Sequence, residues 1–208
     1  MPWEENVAAM RSELEAKHDA REAVLKLCRV IIQTCSKAIK SVHRHDNATA
    51  SALVIEAQML CREARTRVAS HGELLYAGYI QDAEKEMVEA ALTLAMVRGQ
   101  ELPNATSLGV SAPTYLNGSG EAASELRRFL LDRLRAGEVG EAERLLELME
   151  GVYQDLTTFD FPDSVTGGLR RTCDALRAVV ERTRSDVTMT IVQKQLIDEL
   201  RKSSGSPP

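Results

Sequence analysis

LLYAGYIQDAEKEMVEAALTLAMVRG, residues 74–99, is the stretch that decides how the rest of the chain is read. It has a helical pattern, and its second half, residues 90–97, is almost wholly apolar. Glu86 and Glu89 stand at the edge of that apolar run. A spacing of three puts both on one side of a helix, about 5–6 Å apart, and Asp82, four residues before Glu86, falls on the same side. Acids crowded on one stripe beside an apolar run repel each other and lose hydration. A divalent cation is one way to offset that cost.

Composition points the same way as this stretch. The chain has 208 residues, of which 44% are hydrophobic, 27% charged and 4% aromatic. Few glycines and prolines and many Ala, Leu, Glu and Arg describe an all-α protein, because these side chains lose little freedom in a helix. The length suits one domain over residues 1–202, with 203–208, closing in SSGSPP, as a disordered tail. Cys28, Cys35, Cys61 and Cys173 show no C-x-x-C pairing and fit helical stripes. They read as reduced, buried thiols in a cytoplasmic protein. No basic leader opens the chain and no apolar run approaches a membrane span, so neither export nor a membrane is expected. The formal net charge of −5 argues against a protein that coats nucleic acid indiscriminately. It leaves room for a local basic surface, since residues 21–45 carry six Lys or Arg and one acid, Glu22.

Working outward, the apolar spacing predicts a very long helix over residues 3–44, then helices over about 50–70, 73–98, 113–136, 139–158 and 164–202. His71 and Gly72 are expected to end the second, and Gly99 the third. Residues 101–113, with two prolines, read as the one long irregular segment. Gly118 and Gly120 inside a helix call for a reason such as close approach of another backbone or a ligand. Gly167 and Gly168 are expected to kink the start of the last helix. The expected architecture is an all-α bundle of about six helices with antiparallel neighbours.

Two constellations follow. Glu121 and Glu125, four apart, share a side that Arg128 and Asp132 extend. If the helix bearing Glu86 and Glu89 packs antiparallel to this one, four carboxylates converge, a set suited to Mg²⁺ or Mn²⁺ with positions left for water and a phosphate. The alternative is that these are ordinary glutamates on helix surfaces. Lys26, Arg29, Lys37, Lys40 and Arg44 form a positive stripe on the first helix, read either as a track for phosphates or as a solvated face. The motifs G-x-x-x-x-G-K-[ST], G-x-G-x-x-G and H-E-x-x-H are absent, and a single E-x-x-H, Glu15 to His18, falls short of a ferritin-type di-iron site.

Several segments also resemble a known family: residues 13–31 (ELEAKHDAREAVLKLCRVI), 36–44 (SKAIKSVHR), 86–90 (EMVEA), 115–128 (YLNGSGEAASELRR) and the region of 167–171. The family is the translin superfamily, and the similarity is to the translin-associated factor X branch with its archaeal-like single-component members. The resemblance implies about seven helices assembled into a hollow homo-octamer. It implies a Mg²⁺-dependent endoribonuclease cutting single-stranded or unpaired RNA, with Glu86, Glu89, Glu121 and Glu125 as catalytic and metal-holding acids. Glu121 departs by one methylene from the aspartate of the family pattern. Arg128 matches an arginine beside the acidic site, where contact with a phosphate is expected. The translin branch carries an arginine where Glu86 stands and a basic, histidine-containing run ahead of it, whereas residues 75–79 here are uncharged. The alternative from the same resemblance is a non-catalytic protein that holds single-stranded RNA or DNA. With so few aromatics, affinity is expected to be mainly electrostatic.

Overall fold

The computed structural model describes residues 2–203 and, among them, contains helices and no strand. Nine helical segments follow in order: α1 (Trp3–His43), α2 (Asn47–Arg67), α3 (Gly72–Leu75), α4 (Tyr79–Val97), α5 (Ala105–Leu108), α6 (Ala112–Arg135), α7 (Val139–Leu156), α8 (Asp163–Thr166) and α9 (Leu169–Ser203). None of them is long and apolar enough to cross a membrane.

The long helices fall where the apolar spacing places them, and the departures have local causes. α2 starts at Asn47 because Asp46 caps it, its carboxylate accepting from the Thr49 amide at 3.1 Å. The Thr49 side chain first, and this amide second, hold the Asp46 carboxyl below its usual range. α2 ends at Arg67, not at His71–Gly72, and Gly72 opens the one-turn helix α3 instead. The third predicted helix is broken at residues 76–78, where Gly78 takes a φ of +90°. The irregular segment holds a turn of helix, α5, capped by Asn104 and closed by left-handed Gly109. Gly167 and Gly168, at φ of +63° and +84°, break the last predicted helix into α8 and α9 rather than kinking it. The last helix runs through Ser203, so the expected tail begins no earlier than 204; residues 204–208 lie outside the described residues.

The chain divides into two compact units. The first comprises the residues up to Ala91 with Pro103–Tyr115. Its spine is the α1–α2 hairpin, where Val24, Cys28, Ile31, Cys35, Ala38 and Val42 of α1 and Ala50, Ala57, Cys61 and Ala64 of α2 are buried. Three alanines on α2 keep its buried face slim, so the helices approach closely. α5 is tied to α2 by Gln58, whose amide donates to the Ser107 carbonyl at 2.7 Å.

The second unit comprises Leu92–Leu102 and the residues from Leu116 onward. Leu126 and Leu130 of α6, Leu145 and Met149 of α7, and Leu176 and Val180 of α9 form its core. Arg144 of α7 donates to the Met96 carbonyl in the last turn of α4 and forks onto Glu141, holding that carboxyl low. All four cysteines are free and buried, as expected.

Candidate functional site

The first half of α4 is set by a feature absent from the sequence reading. Glu84 is 1% exposed, and the Arg65 guanidinium of α2 grips both its oxygens, through Nε to one and through Nη2 at 2.8 Å to the other. The clue lay in the periodicity: Glu84 sits four after Ile80 and three before Met87, on the apolar stripe itself. An acid on a buried stripe demands a cation, and Arg65 supplies it. This pairing fixes the rotation of α4 about its axis, with Met87 and Val88 inside.

Glu86 and Glu89 then lie half-buried on another side of α4, one turn apart. Both approach the buried Cys35 of α1. Burial, then the charges of Glu86 and Glu89, push that thiol up to about 12. Asp82, by contrast, is exposed and acts on Cys28, where burial, Glu84 and Asp82 raise the thiol to about 11. Asp82 shares their side of the unbroken helix α4, one turn before Glu86, but it is exposed where they are half-buried.

Glu121 and Glu125 occupy corresponding places on α6, half-buried and one turn apart. What sets α6 is a close approach at Gly120. A Cβ there would meet Thr172 Cγ2 of α9 at 2.5 Å and Leu156 Cδ1 of α7 at 3.2 Å. Thr172 is itself pinned, its hydroxyl donating to Asn117 Oδ1 at 2.6 Å, while the Asn117 amide donates to the Thr166 carbonyl at 2.8 Å. Gly120 thus has the close-approach reason its position called for. Two turns on, Arg127 is held by Asp186 and the Thr183 hydroxyl of α9. Arg128 points outward, and with Glu125 and Asp132 it lines one surface groove. Glu125, Arg128 and Asp132 are therefore brought together as the spacing predicted.

Lys26, Arg29, Lys37, Lys40 and Arg44 are all exposed, and among the described residues none of the five joins an ion pair. They line α1 on the side away from its buried stripe, so cations separated in sequence form one open row. Glu15 and His18 are both exposed on the N-terminal half of α1, with no second E-x-x-H to join them.

The donor chemistry fits a hard cation. Each glutamate pair offers oxygen alone, and the neighbouring sulfur of Cys35 is kept protonated by burial. Among the described residues no group of three or more His, Cys, Asp or Glu is gathered into a metal cage. A cation held by either pair keeps most of its water, the habit of Mg²⁺.

No family model matches the chain. An uncharacterized protein of Methanocaldococcus jannaschii, MJ0175, is 28% identical over 195 residues, which cover 91% of this chain and 84% of that protein. Among solved structures, the crystal structure of AfC3PO is 32% identical with a TM-score of 0.81, covering 91% of this chain and 99% of the other. AfC3PO in complex with duplex RNA matches at 31% identity and a TM-score of 0.78, covering 91% and 98%. Apo-NeC3PO, at 19% identity and a TM-score of 0.78 over 91% and 98%, shares the fold. With the helices in this order and a third of the residues kept over nearly the full length of AfC3PO, the chain belongs to the translin superfamily, the family of the C3PO proteins.

Proposed function

We propose that this chain is a Mg²⁺-dependent endoribonuclease that binds and cuts RNA as a homo-oligomer, an octamer by family resemblance, in the cytoplasm. One observation carries the reading: two half-buried glutamate pairs, Glu86 with Glu89 and Glu121 with Glu125, on two helices of a chain 31% identical to a protein solved with duplex RNA. Glu86 with Glu89, and Glu121 with Glu125, would each offer carboxylate oxygens to a divalent cation, Mg²⁺ or Mn²⁺. The chemistry such a cation supplies when bound is polarisation of a phosphate oxygen and activation of a water. Arg128, exposed beside Glu125, contacts a phosphate and offsets charge that develops there. The row from Lys26 to Arg44 guides the backbone by charge, with little help from stacking in a chain that is 4% aromatic.

Single-stranded or unpaired RNA is the proposed substrate, and the duplex held by AfC3PO makes double-stranded RNA the necessary comparison. Binding without cleavage, of single-stranded RNA or DNA, is the second reading. The observation favouring it is that the described residues gather no three-acid cluster. Labelled single-stranded and duplex RNA, each incubated with Mg²⁺ and with chelator, separate the two. The expected result is Mg²⁺-dependent cutting of the single strand, lost in Glu89→Ala with binding retained. Undiminished cleavage by Glu89→Ala sinks the enzymatic assignment, and salt-sensitive retention of uncut strand by the wild type selects the binding reading.

A further inference from the structure

The buried stripe of α1 has a strict register. Val24, Cys28, Ile31, Cys35, Ala38 and Val42 alternate spacings of four and three, the seam period of two coiled helices. α2 supplies the facing helix and ends at Arg67. The register on α1 does not end with it. Counted backwards, the same alternation continues through Arg21, Lys17, Leu14, Met10, Val7 and Trp3. Lys17 is occupied within the chain by an ion pair to Glu73. Beyond it, Leu14 is 63% exposed, Met10 54% and Trp3 77%. No residue of α1 before Val24 is buried. Residues 3–14 of this 41-residue helix therefore carry an uncovered seam, and an isolated helix of about 12 residues is marginal in water.

Resting on the homo-oligomer reading above, we propose that residues 3–14 of α1 dock antiparallel against the same segment of a second copy of this chain. The second copy's helix takes up, over the exposed end of the seam, the role α2 plays over the buried part. In this register Val7 meets the partner's Met10, and Trp3 meets the partner's Leu14, each twice by the twofold axis. Charge selects the direction. Glu4 and Arg11 flank the seam on one side, both exposed, and neither joins an ion pair among the described residues. Antiparallel pairing sets each Glu4 beside the partner's Arg11 and each Glu13 beside the partner's Asn6. Parallel pairing brings no carboxylate to Arg11. At about 1.5 Å per residue the seam is only about 17 Å long, too short for the ~800 Å² per partner of a stand-alone complex. It is one joint of a larger assembly.

The test uses the full chain carrying Val7→Cys or Met10→Cys, each alone and the two co-expressed. The native thiols are buried and do not compete. Mild oxidation is expected to give a disulfide-linked pair from the co-expressed variants and none from either alone, because only Cα atoms within about 7 Å can be bridged. Glu4→Arg is expected to weaken assembly about threefold on dilution, and Glu4→Arg with Arg11→Glu to restore it. These substitutions touch no buried residue, so folding is not at stake. An equal yield of linked Val7→Cys alone overturns the antiparallel register. Light scattering on the wild type separates the remaining failures. An oligomer that forms no such disulfide overturns the seam alone, and a monomer overturns the seam together with the oligomer.

Discussion

Gly120→Ala tests whether the second unit is locked at the crossing of α6, α7 and α9. The new methyl would stand 2.5 Å from Thr172 Cγ2, well inside contact, and 3.2 Å from Leu156 Cδ1. Leu156 ends in a flexible methyl and can yield. Thr172 cannot rotate its methyl away without losing its 2.6 Å hydrogen bond to Asn117, which in turn holds Thr166. Overpacking of this kind costs about 1–3 kcal/mol, and the pinned neighbour places it in the upper half. Alanine returns about 1 kcal/mol of helix propensity over glycine. The net expectation is a loss of about 1–2 kcal/mol, or about 3–6 °C in melting temperature for a chain of this size. Thr172→Ser keeps the hydroxyl and deletes the methyl that clashes. Alone it costs about 1 kcal/mol for one lost methyl, but combined with Gly120→Ala it should restore most of the stability. The assay is urea unfolding of the four proteins at matched concentration. Additive losses in the double variant, or a Gly120→Ala protein as stable as wild type, refute the reasoning.

The remaining expectations follow from the same geometry. Arg65→Met leaves Glu84 charged and buried, so it should cost about 3–5 kcal/mol, whereas Arg65→Met with Glu84→Leu should recover much of that loss; a double variant no more stable than Arg65→Met contradicts a desolvated pair. Lys37→Gln with Lys40→Gln should reduce the slope of log RNA affinity against log salt by about 1.4–1.8, and an unchanged slope removes α1 from the binding surface. Burial raises Cys28 to about 11 and Cys35 to about 12, and raises Cys61 and Cys173 as well, so a thiol reagent at pH 8 should modify none of the four until the chain is unfolded. These folded-state values lie above the unfolded 9.0, so the folded chain holds more protons; stability is full below pH 9 and should fall as pH rises through 11 and 12. A flat stability profile across that window contradicts the burial of these thiols.

Much of the molecule could be read without coordinates. The 3–4 spacing of apolar residues located all six long helices, because a helix with one dry face must repeat that way. The identity of the acids and of the basic row was likewise plain, since charge and spacing on a single helix need no tertiary knowledge. Short-range backbone chemistry was less legible. Gly78 and the pair Gly167–Gly168 broke helices that apolar spacing ran straight through, because a positive φ leaves no trace in periodicity. Tertiary packing decided the rest. It alone paired Arg65 with Glu84 across 19 positions, which sets the face on which Glu86 and Glu89 emerge. It alone pressed Thr172 against Gly120, 52 positions away. It also set acids that share one helix side against different thiols of α1, Asp82 acting on Cys28 and the two glutamates on Cys35. A single helix dictates which of its own residues share a face. Which face is dry, and what stands opposite, depends on helices far away in sequence, and only the folded chain brings those together.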